Sequence, residues 1–64
     1  MLYAERLKQA RKENELTQKQ LADKIYIHKN MIGAYERGTI IPPFTTVIAI
    51  AKVLDVSLDW LAGD

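Results

Sequence analysis

Apolar residues along this chain recur in short clusters at helical spacing, separated by polar breaks. Tyr3, Leu7 and Ala10 stand at i, i+4 and i+7, with Glu5, Arg6, Lys8, Arg11 and Lys12 on the remaining surface. That pattern predicts a first helix over residues 2–13. The polar pair Asn14-Glu15 breaks it. Thr17, followed three residues later by Gln20, forms a capping box: the Thr17 hydroxyl accepts from the Gln20 amide, and the Gln20 side chain accepts from the Thr17 amide. Leu21, Ala22 and Ile25 continue a second helix to residue 24 or 25. Tyr26-Ile27-His28 reads as a turn before a third helix over residues 29–37. Ile32 and Tyr35 fall on one face of that helix, and Lys29, Asn30, Gly33, Ala34 and Arg37 largely on the other.

Gly38 suits the left-handed residue that closes a helix, and the Pro42-Pro43 pair rules out continuous helix through residues 39–43. A fourth helix follows over residues 44–54, with Phe44, Val47, Ile48, Ala51 and Leu54 as its apolar stripe. Ser57 can cap a last helical turn, with Asp59 near the positive end of its dipole and Leu58 and Leu61 inward. The expectation is an all-α domain of five helices over residues 1–64, with no repeat, linker or low-complexity tract. Residues 17–38 form two short helices joined by a tight turn. This is the helix-turn-helix arrangement, whose second helix can enter a DNA major groove.

The bulk numbers narrow the field. A chain of 64 residues makes one domain, and one this small buries only about 60% of the surface its unfolded form exposes. The hydrophobic fraction of 48% still suffices for a compact helical core. With no cysteine there is neither a disulfide nor a thiolate metal site. Neither a membrane-length apolar run nor a signal-peptide pattern is present, so a soluble cytoplasmic protein is expected. The net charge of +1 is a weak credential for a nucleic-acid binder, but the charge is unevenly distributed. Residues 1–37 hold eight Lys/Arg against five Asp/Glu, whereas residues 38–64 hold one Lys against three Asp. A basic face built from the first three helices is one reading, and an ordinary mixed surface is the other.

With these residues in place, the sequence resembles the phage Cro/repressor-type helix-turn-helix family, also called the xenobiotic-response-element family. The markers are Leu7 and Arg11, the Leu16-Thr17-Gln18 entry with Leu21-Ala22, and Tyr35-Glu36-Arg37-Gly38. Pro42 and the run Leu54-Asp55-Val56-Ser57-Leu58-Asp59-Trp60-Leu61 complete them. Each is weak alone, but together they span residues 3–62 in order and at the right spacing. The resemblance implies a compact lambda-repressor-like fold and a sequence-specific regulator of transcription, a repressor, that binds double-stranded DNA. Position by position, it implies base contacts from Lys29, Asn30, Gly33 and Ala34 and phosphate contacts from Gln18, Arg37 and Thr39; the neighbouring Lys19 is a further candidate phosphate contact, with a solvated surface role as the alternative. It also implies a structural ion pair between Arg11 and Glu36. Family members dimerise through the loop between helices 3 and 4 and through the last helix. Ile40, Ile41, Leu58 and Trp60 are therefore candidates for a two-fold interface on an inverted-repeat operator, with folding back onto the core as the alternative.

The chain departs from the family pattern in ways that bear on function. Glu15 and Tyr26 stand where glycine is usual, and a left-handed backbone there costs a non-glycine residue about 1–2 kcal/mol. His28 stands where Ser or Thr usually caps the third helix, and imidazole is a poorer cap. Gly33 and Ala34 carry no hydrogen-bonding side chain, so direct readout rests on Lys29 for guanine and Asn30 for adenine, with a larger share left to DNA shape. Trp60, Tyr35 and Tyr3 also read as packing residues. A lone histidine gives no metal site, and no nucleophile–base grouping suggests catalysis. No cofactor, small-molecule ligand or membrane association is expected. The rival reading is a helical adaptor that uses the same fold to bind protein, as family-related coactivators do; the weak charge and the bare middle of the third helix support it.

Overall fold

A computed structural model describes residues 3–63; Leu2, where the predicted first helix begins, lies outside them with Met1 and Asp64. Five helices follow in order: α1 (Tyr3–Glu13), α2 (Gln18–Lys24), α3 (Lys29–Arg37), α4 (Phe44–Leu54) and α5 (Leu58–Ala62). There is no strand among the described residues. Three of the helix starts are capped by side chains that the sequence nominates. Thr17 and Gln20 form the capping box on α2, and Ser57 accepts from the Trp60 amide on α5. His28 caps α3 through Nδ1, which accepts from the Asn30 amide at 3.0 Å. Imidazole therefore does the work expected of Ser or Thr.

Helices α1, α2 and α3 end the same way: a left-handed residue donates its amide back into the last turn, and the next residue reaches one carbonyl further, in the Schellman pattern. Gly38 and Thr39 do this for α3, bonding to the carbonyls of Tyr35 and Ala34 at 3.2 and 3.1 Å. Glu15 (φ 58°) and Tyr26 (φ 62°) hold the matching positions after α1 and α2. After α4, the left-handed Asp55 (φ 56°) and Val56 both donate to the Ala51 carbonyl. Glu15 and Tyr26, where the family usually has glycine, thus take up the left-handed backbone without it.

The core gathers Leu7 and Ala10 of α1, Leu21 and Ala22 of α2, and Ile32 and Tyr35 of α3 with Val47, Ile50, Ala51 and Leu54 of α4 and Leu61 of α5. Helix α3 packs against both α1 and α2, which fixes its axis in the molecule. The apolar stripe read for α4 needs correcting at two positions. Phe44 is 67% exposed and Ile48 only half-buried, whereas Ile50 is fully buried. Nearly every residue of α4 is apolar, so sequence alone leaves the phase of the stripe open; the spacing 47, 50, 51, 54 is the one that packing selects. Asn14 adds a tie that no pattern announced: its side-chain amide donates to the carbonyls of Ala10 at 2.8 Å and Leu54 at 3.1 Å, joining the ends of α1 and α4.

Candidate nucleic-acid interface

The position of α3 is fixed by a buried ionic network. Arg11 Nε and Nη2 donate to the two carboxylate oxygens of Glu36 at 2.6 and 3.0 Å, and Arg11 Nη1 donates to the Leu16 carbonyl at 2.7 Å. Side-chain exposures of 10% for Arg11 and 3% for Glu36 place the pair out of water, where a bidentate geometry with every donor satisfied is needed to offset desolvation. The hydrogen bond to Glu36 raises the Arg11 guanidinium above its ordinary value, so it stays charged throughout the physiological range. Gln18 joins from α2, donating through Nε2 to Glu36 Oε1 at 3.1 Å. One carboxylate therefore ties α1, α2 and α3 together.

Around this anchor, Lys29 and Asn30 stand exposed on the first turn of α3, immediately after the His28 cap. A shallow depression of about 260 Å³ lies beside them, bordered by Lys19, Asp23, Ile27, His28 and Lys29. Lys19 meets Asp23 at 2.9 Å in a solvent-exposed pair, with side-chain exposures of 68% and 63%. Such a pair is worth only a few tenths of a kcal/mol, so Lys19 is readily drawn to a stronger anion. Thr39 is exposed, and its hydroxyl donates to the Ala34 carbonyl at 3.1 Å. Arg37 is exposed at the far end of α3, with its guanidinium turned back over Gly33.

Two of the residues expected to meet base edges carry little exposed surface in the unbound domain. Gly33 and Ala34 are both buried, Ala34 to 6% exposure. A Cβ built on Gly33 would meet Arg37 Nη1 at 3.0 Å and Gln18 Oε1 at 3.5 Å, so neighbouring side chains roof that stretch of helix. The Ala34 carbonyl accepts from both the amide and the hydroxyl of Thr39. In the unbound domain Gly33 thus lies beneath the side chains of Gln18 and Arg37, and Ala34 is buried.

Of the candidate interface residues, Ile40, Ile41 and Leu58 are 45%, 75% and 37% exposed. Leu58 thus does not turn fully inward. Trp60 packs half-buried on the core with Arg6 lying 5.1 Å over its ring. Phe44, read from sequence as part of the α4 stripe, is exposed as well. No group of three or more His, Cys, Asp or Glu side chains with the geometry of a metal site occurs among the described residues, and none of their helices is long and apolar enough to cross a membrane.

Residues 7–61 match the model of the helix-turn-helix family. The chain belongs to that family. Its relatives include the HTH-type transcriptional regulator YobD of Bacillus subtilis, 42% identical over 97% of this chain and 55% of that protein. Another is the immunity repressor protein of Bacillus phage phi105, 33% identical over 100% of this chain and 44% of that protein. The solution structure of the DNA-binding domain of the P22 c2 repressor superposes with a TM-score of 0.90 at 27% identity, covering 97% of this chain and 82% of that one. The fold is thus that of the repressor-type helix-turn-helix domain. The chain spans about half the length of the curated relatives it matches.

Proposed function

We propose that this domain binds double-stranded DNA sequence-specifically as part of a transcriptional repressor, with α3 as the recognition helix. The observation that carries the reading is the exposed Lys29–Asn30 pair on the first turn of a helix locked in place by Arg11, Glu36 and Gln18. Lys29 suits the guanine O6 and N7 acceptors, and Asn30 can pair bidentately with adenine. Gln18, Lys19 and Thr39 flank α3 on the elements to either side and serve as phosphate contacts, which position the helix without reading sequence. Having few direct readers, the domain takes much of its selectivity from the shape and deformability of its site.

A dimer formed through Ile40, Ile41 and Leu58 would set two copies of α3 about 34 Å apart on an inverted-repeat operator. The test is selection of bound sequences from a random duplex library at two salt concentrations. Enrichment of an inverted repeat is the expected result. If no sequence is enriched and binding disappears as salt rises, only phosphate attraction is left and the protein-binding adaptor takes over as the reading.

A further inference from the structure

The middle of α3 is bare at Gly33 and Ala34, yet something occupies the space above it. The side chain of Arg37, one turn further on, runs back along the helix as helical side chains do, bringing Nη1 to 3.0 Å from where a Gly33 Cβ would stand. The side-chain amide of Gln18 closes the other side of the slot, with Oε1 at 3.5 Å and Nε2 at 3.8 Å from the same point. Gln18 is itself held by Glu36, so that wall is fixed.

The remaining arginines are engaged: Arg11 with Glu36, and Arg6 with the ring and carbonyl of Trp60. Arg37 has no carboxylate partner among the described residues. A cation that simply complements the C-terminal end of a helix stays by its last carbonyls; this one is directed toward the helix centre, in line with Lys29, Asn30 and Gly33.

We propose that Arg37 is a base reader, its guanidinium fork seated over Gly33 so that the middle of α3 offers paired donors to a guanine in the major groove. The arginine fork can give two parallel N–H bonds either to a phosphate or to guanine O6 and N7, but only the guanine contact carries sequence information. The glycine provides the room. Any side chain at that position would lift the guanidinium off the helix or push it toward the DNA backbone. The inference rests on the DNA-binding reading above and assigns one of its contacts.

The test measures affinity for the selected operator and for a panel with each base pair changed in turn, using wild type, Arg37→Ala, Arg37→Lys and Gly33→Ala. Arg37→Ala should abolish discrimination at one G·C pair per half-site, a loss of roughly 5- to 150-fold in preference, and leave the other positions ranked as before. Arg37→Lys keeps the charge and should keep the salt slope while losing that discrimination. Gly33→Ala should weaken preference at the same pair without lowering the melting temperature, since alanine favours helix over glycine. The inference is overturned if Arg37→Ala weakens binding to every sequence equally and reduces the salt slope by about one, the signature of a phosphate contact. If wild type enriches no sequence at all, the DNA-binding reading fails first and takes the inference with it.

Discussion

Tyr26 is 94% exposed and left-handed, an aromatic residue held in a strained turn with almost no packing in return. Its strain of about 1–2 kcal/mol is only partly offset by the greater unfolded-state freedom of glycine, about 0.4–1 kcal/mol. Tyr26→Gly should therefore stabilise the domain by about 0.5–1 kcal/mol, raising the melting temperature by several degrees. Asp55→Gly should gain less, because aspartate visits this backbone region more readily. A fall in stability on Tyr26→Gly, measured by thermal unfolding, would mean that the ring makes a stabilising contact. Glu36 lies at the other extreme. Removing it in Glu36→Ala leaves the Arg11 charge buried and Gln18 without its acceptor, at a cost of about 3–5 kcal/mol. Since a domain of this size has a total stability of only about 3–10 kcal/mol, urea titration should find this variant largely unfolded. The pH sign is simple for Arg11. Its folded-state value is raised, so the stability it contributes is full wherever arginine is protonated in the unfolded chain and fades only in strong alkali.

The helix starts and ends carry most of what could be read in advance. Thr17-x-x-Gln20, Ser57 and Gly38 specify local hydrogen bonds between residues a few positions apart, and all of them form. Helix α4 marks where such reading stops. Its apolar residues satisfy several stripes equally well, and only the positions of α2 and α5 decide that Ile50 turns inward and Phe44 outward. The burial of Gly33 has the same origin, because the covering side chains of Gln18 and Arg37 come from another helix and another turn. The Gly33–Arg37 pairing at i, i+4 was present in the sequence as a signal but had no meaning until the reach of the arginine was known. His28 offers a check at this scale. His28→Ala should lower stability by about 1 kcal/mol and weaken DNA binding through fraying of the Lys29–Asn30 turn, while His28→Asn, a stronger cap, should restore both. Equal losses in the two variants would show that the imidazole acts on DNA rather than on the helix.

At the level of the whole molecule, the apolar surface and the modest charge bear on the same question. Ile41 and Phe44, at 75% and 67% exposed, sit close together in sequence after α3, and Ile40 and Ile41 border a groove of about 280 Å³ with Tyr3, Tyr35 and Pro42. Side chains this large and this exposed are a liability to a small monomer but suit a two-fold contact. A domain with a net charge of +1 draws little on non-specific attraction to hold DNA, so on the proposed reading the pairing of two copies on one operator would supply the tight binding. A dimer making about six phosphate contacts should lose affinity with a log–log salt slope near −5. Ile41→Asp is the discriminating variant. An exposed position tolerates the change to within about 0.5 kcal/mol of stability, so the fold should survive. Binding to the full inverted repeat should fall to the level of a single half-site, and the salt slope should drop to about half, because each bound copy then releases only its own counterions. Sedimentation of the protein alone and on operator DNA would report the lost pairing directly. If Ile41→Asp leaves both the full-site affinity and the slope unchanged, the two copies meet through another surface or do not meet at all, and the exposed isoleucines fall to another partner.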